Sequence, residues 1–197
     1  MPIEPFTNVE PFTILMRGVF ELEITDTKTM LGHHKFIWSL LNVSDHATNP
    51  GIEFDAASKI PRTADQINLK VSGDDIQTQN IKPLVDQPNL KAFFIPYRSQ
   101  QMNSERRNVV IEYDWEEPDR KYGYNFAQKY EDFICRLIFP KDFQANPTIH
   151  KVKESGEIIR DTLQRDQRFI SSIARDKLLL EWHSTDIPPL TVYRFDW

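Results

Sequence analysis

Val109-Val110-Ile111-Glu112-Tyr113-Asp114-Trp115-Glu116-Glu117-Pro118-Asp119 is the stretch on which the fold turns. Successive side chains of a strand point to opposite faces, so Val109, Ile111, Tyr113 and Trp115 share one side. Glu112 and Asp114 fall on the other. One apolar and one acidic face describe a strand packed on a core and wetted behind. Proline cannot donate to a ladder, so Pro118 stops the strand in an acidic corner. That corner reads as a solvated strand face running into a turn, the base of a recognition loop.

The same alternation recurs outward from this strand. Upstream, Ala92-Phe93-Phe94-Ile95 forms a compact apolar strand interrupted at Pro96, and the polar segment 99–108 separates it from Val109. The simplest topology makes the two a hairpin with that segment at its tip. Phe12, Ile14, Met16, Gly18, Phe20, Leu22 and Ile24 alternate through an earlier strand, with a bulge expected at Gly18. After a polar turn over residues 25–32, Phe36 to Val43 is apolar on both faces and reads as a central strand paired with it. Ile52-Glu53-Phe54 and residues 67–71 read as short strands, and residues 77–87 as a loop.

Downstream, residues 118–129 read as a loop carrying Tyr122, Tyr124 and Phe126 at alternate positions. Strands follow over residues 130–139, 149–153, 178–182 and 192–197. Residues 158–173 stay open between a strand reading and one amphipathic helix. The sum is an all-β, antiparallel sandwich or barrel-like single domain over residues 1–197, with 1–11 as an extended, proline-bearing N-terminal arm.

Composition narrows the class. The chain has 197 residues, 40% of them hydrophobic and 12% aromatic, enough for one sizeable core without staples. Only 6 glycines argue against phosphate-cradling loops, while 13 prolines suggest stiffened connections. A net charge of −5, from 24 basic and 29 acidic residues, disfavours broad nucleic-acid binding. One cysteine excludes an intramolecular disulfide. With no leader pattern and no long apolar run, a cytoplasmic protein without membrane partners is expected.

Chemistry-bearing patterns are sparse. The acidic corner lacks the spacing of a calcium loop. His33 and His34, adjacent in a strand, point apart and do not jointly serve one ion, and Asp45 and His46 add no ligand spacing. Cys135, inside an apolar strand, reads as a small buried hydrophobe. No nucleophile elbow, phosphate loop or dinucleotide motif is present, so neither catalytic residues nor cofactors are assigned. Two groups remain as binding candidates. Tyr97, Arg98, Arg106 and Arg107 place arginine forks beside an aromatic, a set suited to an anion or nucleotide. Tyr122, Tyr124 and Phe126 would form an interaction patch if exposed, and would close one end of the sandwich if packed down. The expectation is a non-enzymatic module that binds another protein through loops at one end of the scaffold. The alternative is a small-ligand sensor that binds an anionic or nucleotide ligand in a pocket of the β-scaffold.

Overall fold

A computed structural model describes residues 14–43, 51–98, 106–152, 158 and 169–197. The described chain is nearly all strand: β1 (Ile14–Asp26), β2 (Leu31–Asn42), β3 (Gly51–Ala57), β4 (Lys70–Gly73), β5 (Lys82–Gln87), β6 (Leu90–Pro96) and β7 (Arg107–Glu116) come first. β8 (Lys121–Phe126), β9 (Lys129–Pro140), β10 (Thr148–Val152), β11 (Ile170–Ala174), β12 (Lys177–Ile187) and β13 (Thr191–Asp196) follow. A single 3₁₀ turn, Thr78–Asn80, is the one helical piece among the described residues.

The strands form a seven-stranded sheet, in the order β11-β12-β9-β1-β2-β7-β4, and two three-stranded sheets, β10-β13-β8 and β3-β6-β5. All pairings are antiparallel except β1 with β9, which run parallel from Leu15↔Lys129 to Glu23↔Ile138. The β1–β2 hairpin expected from sequence is present, with Phe20 opposite Phe36. No bulge sits at Gly18. The irregularities fall at Met16/Arg17 and Ile24/Asp26, and Gly18 instead gives room to the Tyr130 and Phe133 rings.

Period-two patterning explains why these strands pack as layers. In the large sheet one face is aromatic and buried, with Phe20, Phe36, Trp115, Phe133 and Trp182 among its residues. Burying each such ring contributes about 1.5–3 kcal/mol. The opposite face is charged and laced across strands: Arg136 Nη1 donates to Glu21 (2.9 Å) and its Nε to Glu181 (2.8 Å). Lys35 meets Glu112 at 2.9 Å. The small sheets share the buried face. Phe195 lies on Trp182 (5.4 Å between centroids) from one, and Phe54 on Phe36 (5.4 Å) from the other. One apolar cluster contains residues of all three sheets.

Several sequence expectations are corrected. The β7 strand keeps its apolar face, with Val109, Ile111, Tyr113 and Trp115 all buried. Its partners, however, are β2 and β4, whereas Ala92–Ile95 lies in β6 of another sheet, between β3 and β5. No β6–β7 hairpin forms, because β6 finds its neighbours in residues 51–57 and 82–87. Residues 82–87, read as a loop because Pro83 and a polar composition hid them, form an edge strand. Residues 121–126, read as part of a loop, form β8. The N-terminal arm and most of the 158–173 ambiguity lie outside the described residues. Ile158 bridges Val152, and Ile170–Ala174 is a strand.

Candidate functional site

The acidic corner is where the structure departs most from a solvated turn. Glu116 and Glu117 are both buried. Ser58 and Arg62, from the segment after β3, hold Glu116: Ser58 Oγ donates to its carbonyl (2.5 Å) and Arg62 Nε to its carboxylate (3.1 Å). The same segment caps Trp115, whose Nε1 donates to the Ile60 carbonyl at 2.7 Å. Glu117 lies 2.9 Å from Nε2 of the fully buried His34, whose ring stacks on Tyr113 at 4.4 Å. Burial raises the Glu117 carboxyl above its ordinary value despite the histidine contact. His33, on the other face, bonds Asp114 at 2.7 Å. Burial pushes Asp114 up, but bonds from His33 and Asn68 outweigh it and hold the carboxyl low.

Beside this corner the two small sheets fail to meet. β3 and β8 are terminal strands of their sheets, and both line a cleft of about 990 Å³ over β2. Phe36 and Trp38 belong to its floor, Phe54 and Asp55 to one wall, and Tyr122 and Tyr124 to the other. Such a volume sits at the upper end of small-molecule pockets, roughly 300–1,000 Å³. Terminal strands also present backbone donors and acceptors that no ladder uses. A chain of hydroxyls stiffens the tyrosine wall: Trp38 Nε1 donates to Tyr124 Oη (2.9 Å), which lies 3.0 Å from Tyr130 Oη. Burial drives the phenols of Tyr122, Tyr124 and Tyr130 up, so all three stay neutral hydrogen-bonding groups near neutral pH.

Asp55 differs from its surroundings. It lines the cleft, and desolvation raises its carboxyl. It is nonetheless exposed, alternating along β3 with the buried Phe54 and Ala56, and stands at the rim of the cleft. No ion pair or side-chain hydrogen bond reaches it among the described residues.

The residues singled out from sequence are distributed as follows. Tyr97, Tyr122 and Tyr124 line the cleft, but Tyr97, Tyr124 and Phe126 are core side chains and Tyr122 is half-buried, stacked 4.5 Å from Phe20. The exposed aromatic patch considered on residues 118–129 is therefore absent; the rings pack down on the large sheet. Arg107 lies over the Tyr97 ring (5.0 Å) and pairs with Asp75 (3.3 Å). Arg106 pairs with Glu131. Arg98 is exposed and its carbonyl accepts from Arg107. None of these arginines lines the cleft, although Arg107 gathers with the Tyr97 ring and the Arg98 carbonyl. Residues 99–105, the tip between them, lie outside the described residues, as do Asp45 and His46. Sequence reading missed Asp55, Gly123 and the cleft itself. Among the described residues no group of three histidine, cysteine or acidic side chains could hold a metal ion. Likewise, no helix is long and apolar enough to cross a membrane. Cys135 is buried in β9, where desolvation raises its thiol.

No protein-family model and no curated protein matches the sequence. Solved structures show a distant likeness, of which one carries the fold. A "putative protease" from Parabacteroides distasonis superposes with a TM-score of 0.60 at 5% identity, over 94% of this chain and 40% of that one. A "putative nutrient binding protein" from Legionella pneumophila gives 0.48 at 10% identity, over 92% and 67% of the two chains. An M1 zinc metallopeptidase from Deinococcus radiodurans gives 0.47 at 7% identity, over 93% and 42%. The chain thus spans well under half the length of the first of these. At 5% identity that likeness carries the fold and none of the chemistry.

Proposed function

We propose that this is a non-enzymatic binding protein that takes a small ligand in the cleft between β3 and β8. The observation that carries the reading is the cleft itself: about 990 Å³, walled by aromatics and by two terminal strands. Concave, mostly apolar sites with a few convergent polar groups are where small molecules bind. Recognition through exposed loop aromatics has less support, since Tyr124 and Phe126 belong to the core.

Gly123 supplies the test. It lines the cleft, and a Cβ added there meets nothing within 4 Å. Gly123→Trp should lay an indole across the mouth of the cleft without straining β8. In a thermal-shift screen of the full chain against amines, carboxylates and nucleosides, a ligand at 100 times its Kd adds about 2.7 kcal/mol. For a chain of this size that is a rise of roughly 5–10 °C. The shift should vanish in Gly123→Trp, whose own Tm should stay close to that of the unsubstituted protein. A shift that survives the substitution would move the ligand elsewhere.

A further inference from the structure

Resting on that reading, we infer that the cleft selects a cationic ligand, an amine with an aromatic or apolar body, held by the Asp55 carboxylate against the ring walls. The charges lining the cleft do not cancel locally. Its three cations are already engaged: Lys59 and Lys121 both on Asp119 (2.7 and 3.3 Å), and Arg194 on Asp196 (2.8 Å). Glu117 is engaged by His34 at 2.9 Å. Glu53 and Asp55, both on β3, remain without a cationic partner among the described residues. The cleft therefore offers the two unpaired carboxylates of β3 against the one positive charge left over where Lys59 and Lys121 share Asp119.

The walls complement that sign. Of the rings lining the cleft, Phe36, Trp38, Phe54 and Tyr124 are buried and Tyr122 is half-buried, so Tyr122 is the one most open to a ligand. The face of such a ring attracts a cation, most strongly where water is excluded. An ammonium donating to Asp55 gains a charge-assisted hydrogen bond and relieves the desolvated carboxylate. An anion would meet uncompensated carboxylates and phenols held neutral. A neutral ligand would bury Asp55 without a partner.

Three probes that differ only at one end of an indole side chain separate the possibilities: tryptamine (ammonium), tryptophol (hydroxyl) and indole-3-propionate (carboxylate). Calorimetric titration of the full chain should find tryptamine bound roughly tenfold more tightly than tryptophol, with indole-3-propionate weakest. Asp55 has no side-chain partner to lose, so Asp55→Asn should fold and cut tryptamine affinity about tenfold while tryptophol affinity holds. Equal affinity for all three probes, tightest binding of the propionate, or a tryptamine Kd untouched by Asp55→Asn would overturn the cation assignment and leave the cleft as a ligand site. Binding of none of them, with no hit in the wider screen, would remove both readings.

Discussion

Glu117 sits where two demands conflict. Burial opposes its charge, while the imidazole of His34 at 2.9 Å favours it, and the balance leaves the carboxyl raised. The direction fixes a pH dependence. A carboxyl whose folded pKa exceeds its unfolded one binds its proton more tightly in the native state. Its contribution is full below the ordinary carboxylate range and is lost as pH rises towards the raised value. Glu117→Gln keeps a hydrogen-bonding group and removes the titration. Urea unfolding across pH 4–8 should show the unsubstituted protein losing stability relative to Glu117→Gln as pH rises, with the difference levelling off above the raised pKa. Glu117→Ala should cost about 1–3 kcal/mol at the acid end of that range and less as pH rises, since His34 is fully buried and its Nδ1 already has no partner among the described residues.

At the scale of elements, β8 shows what sequence patterning could and could not reveal. β1, β7 and β9 were legible because each buries one alternating apolar face, and the same periodicity separated His33 from His34. β2, read as apolar on both faces, in fact buries alternate residues only. β8 was hidden because Pro118 precedes it and Gly123 and Asn125 interrupt its aromatics, a composition shared with loops. β5 was hidden because none of its residues is buried. Partner choice was also illegible: β7 pairs with residues 31–40 and 70–73, and no local pattern encodes that. Nor does any motif mark the cleft, since it arises from where two sheets stop. Asp55 looked like any polar residue of a half-buried strand. The tyrosines of β8 were visible, and their burial tells which of their two readings holds. Tyr124→Phe should cost about 1–3 kcal/mol in chemical denaturation, because Trp38 Nε1 and the Tyr130 hydroxyl lose a buried partner together. Tyr122→Phe removes only a 3.5 Å contact to Tyr113 and should cost well under that.

For the whole molecule, the question is whether three sheets behave as one body. The apolar cluster crosses all of them, and the four tryptophans are spread through it: Trp38 in β2, Trp115 in β7, Trp182 in β12, and Trp197 after β13. A shared core predicts cooperative melting. Far-ultraviolet circular dichroism and tryptophan fluorescence should therefore give one coincident unfolding transition. Two separated midpoints would mean that a small sheet melts independently of the large one.

The parallel seam between β1 and β9 also has a consequence during synthesis. Leu15 leaves the ribosome with β2 soon behind it, but its neighbour on the other side, Lys129, is more than a hundred residues away. At roughly 5–20 residues per second the wait is on the order of ten seconds. Throughout it the nascent chain carries an apolar strand with one open edge, the surface that a holding chaperone or a neighbouring nascent chain would find first. A seam in the middle of the finished sheet thus closes only once β9 has emerged, with β11 and β12 still to be added beyond it.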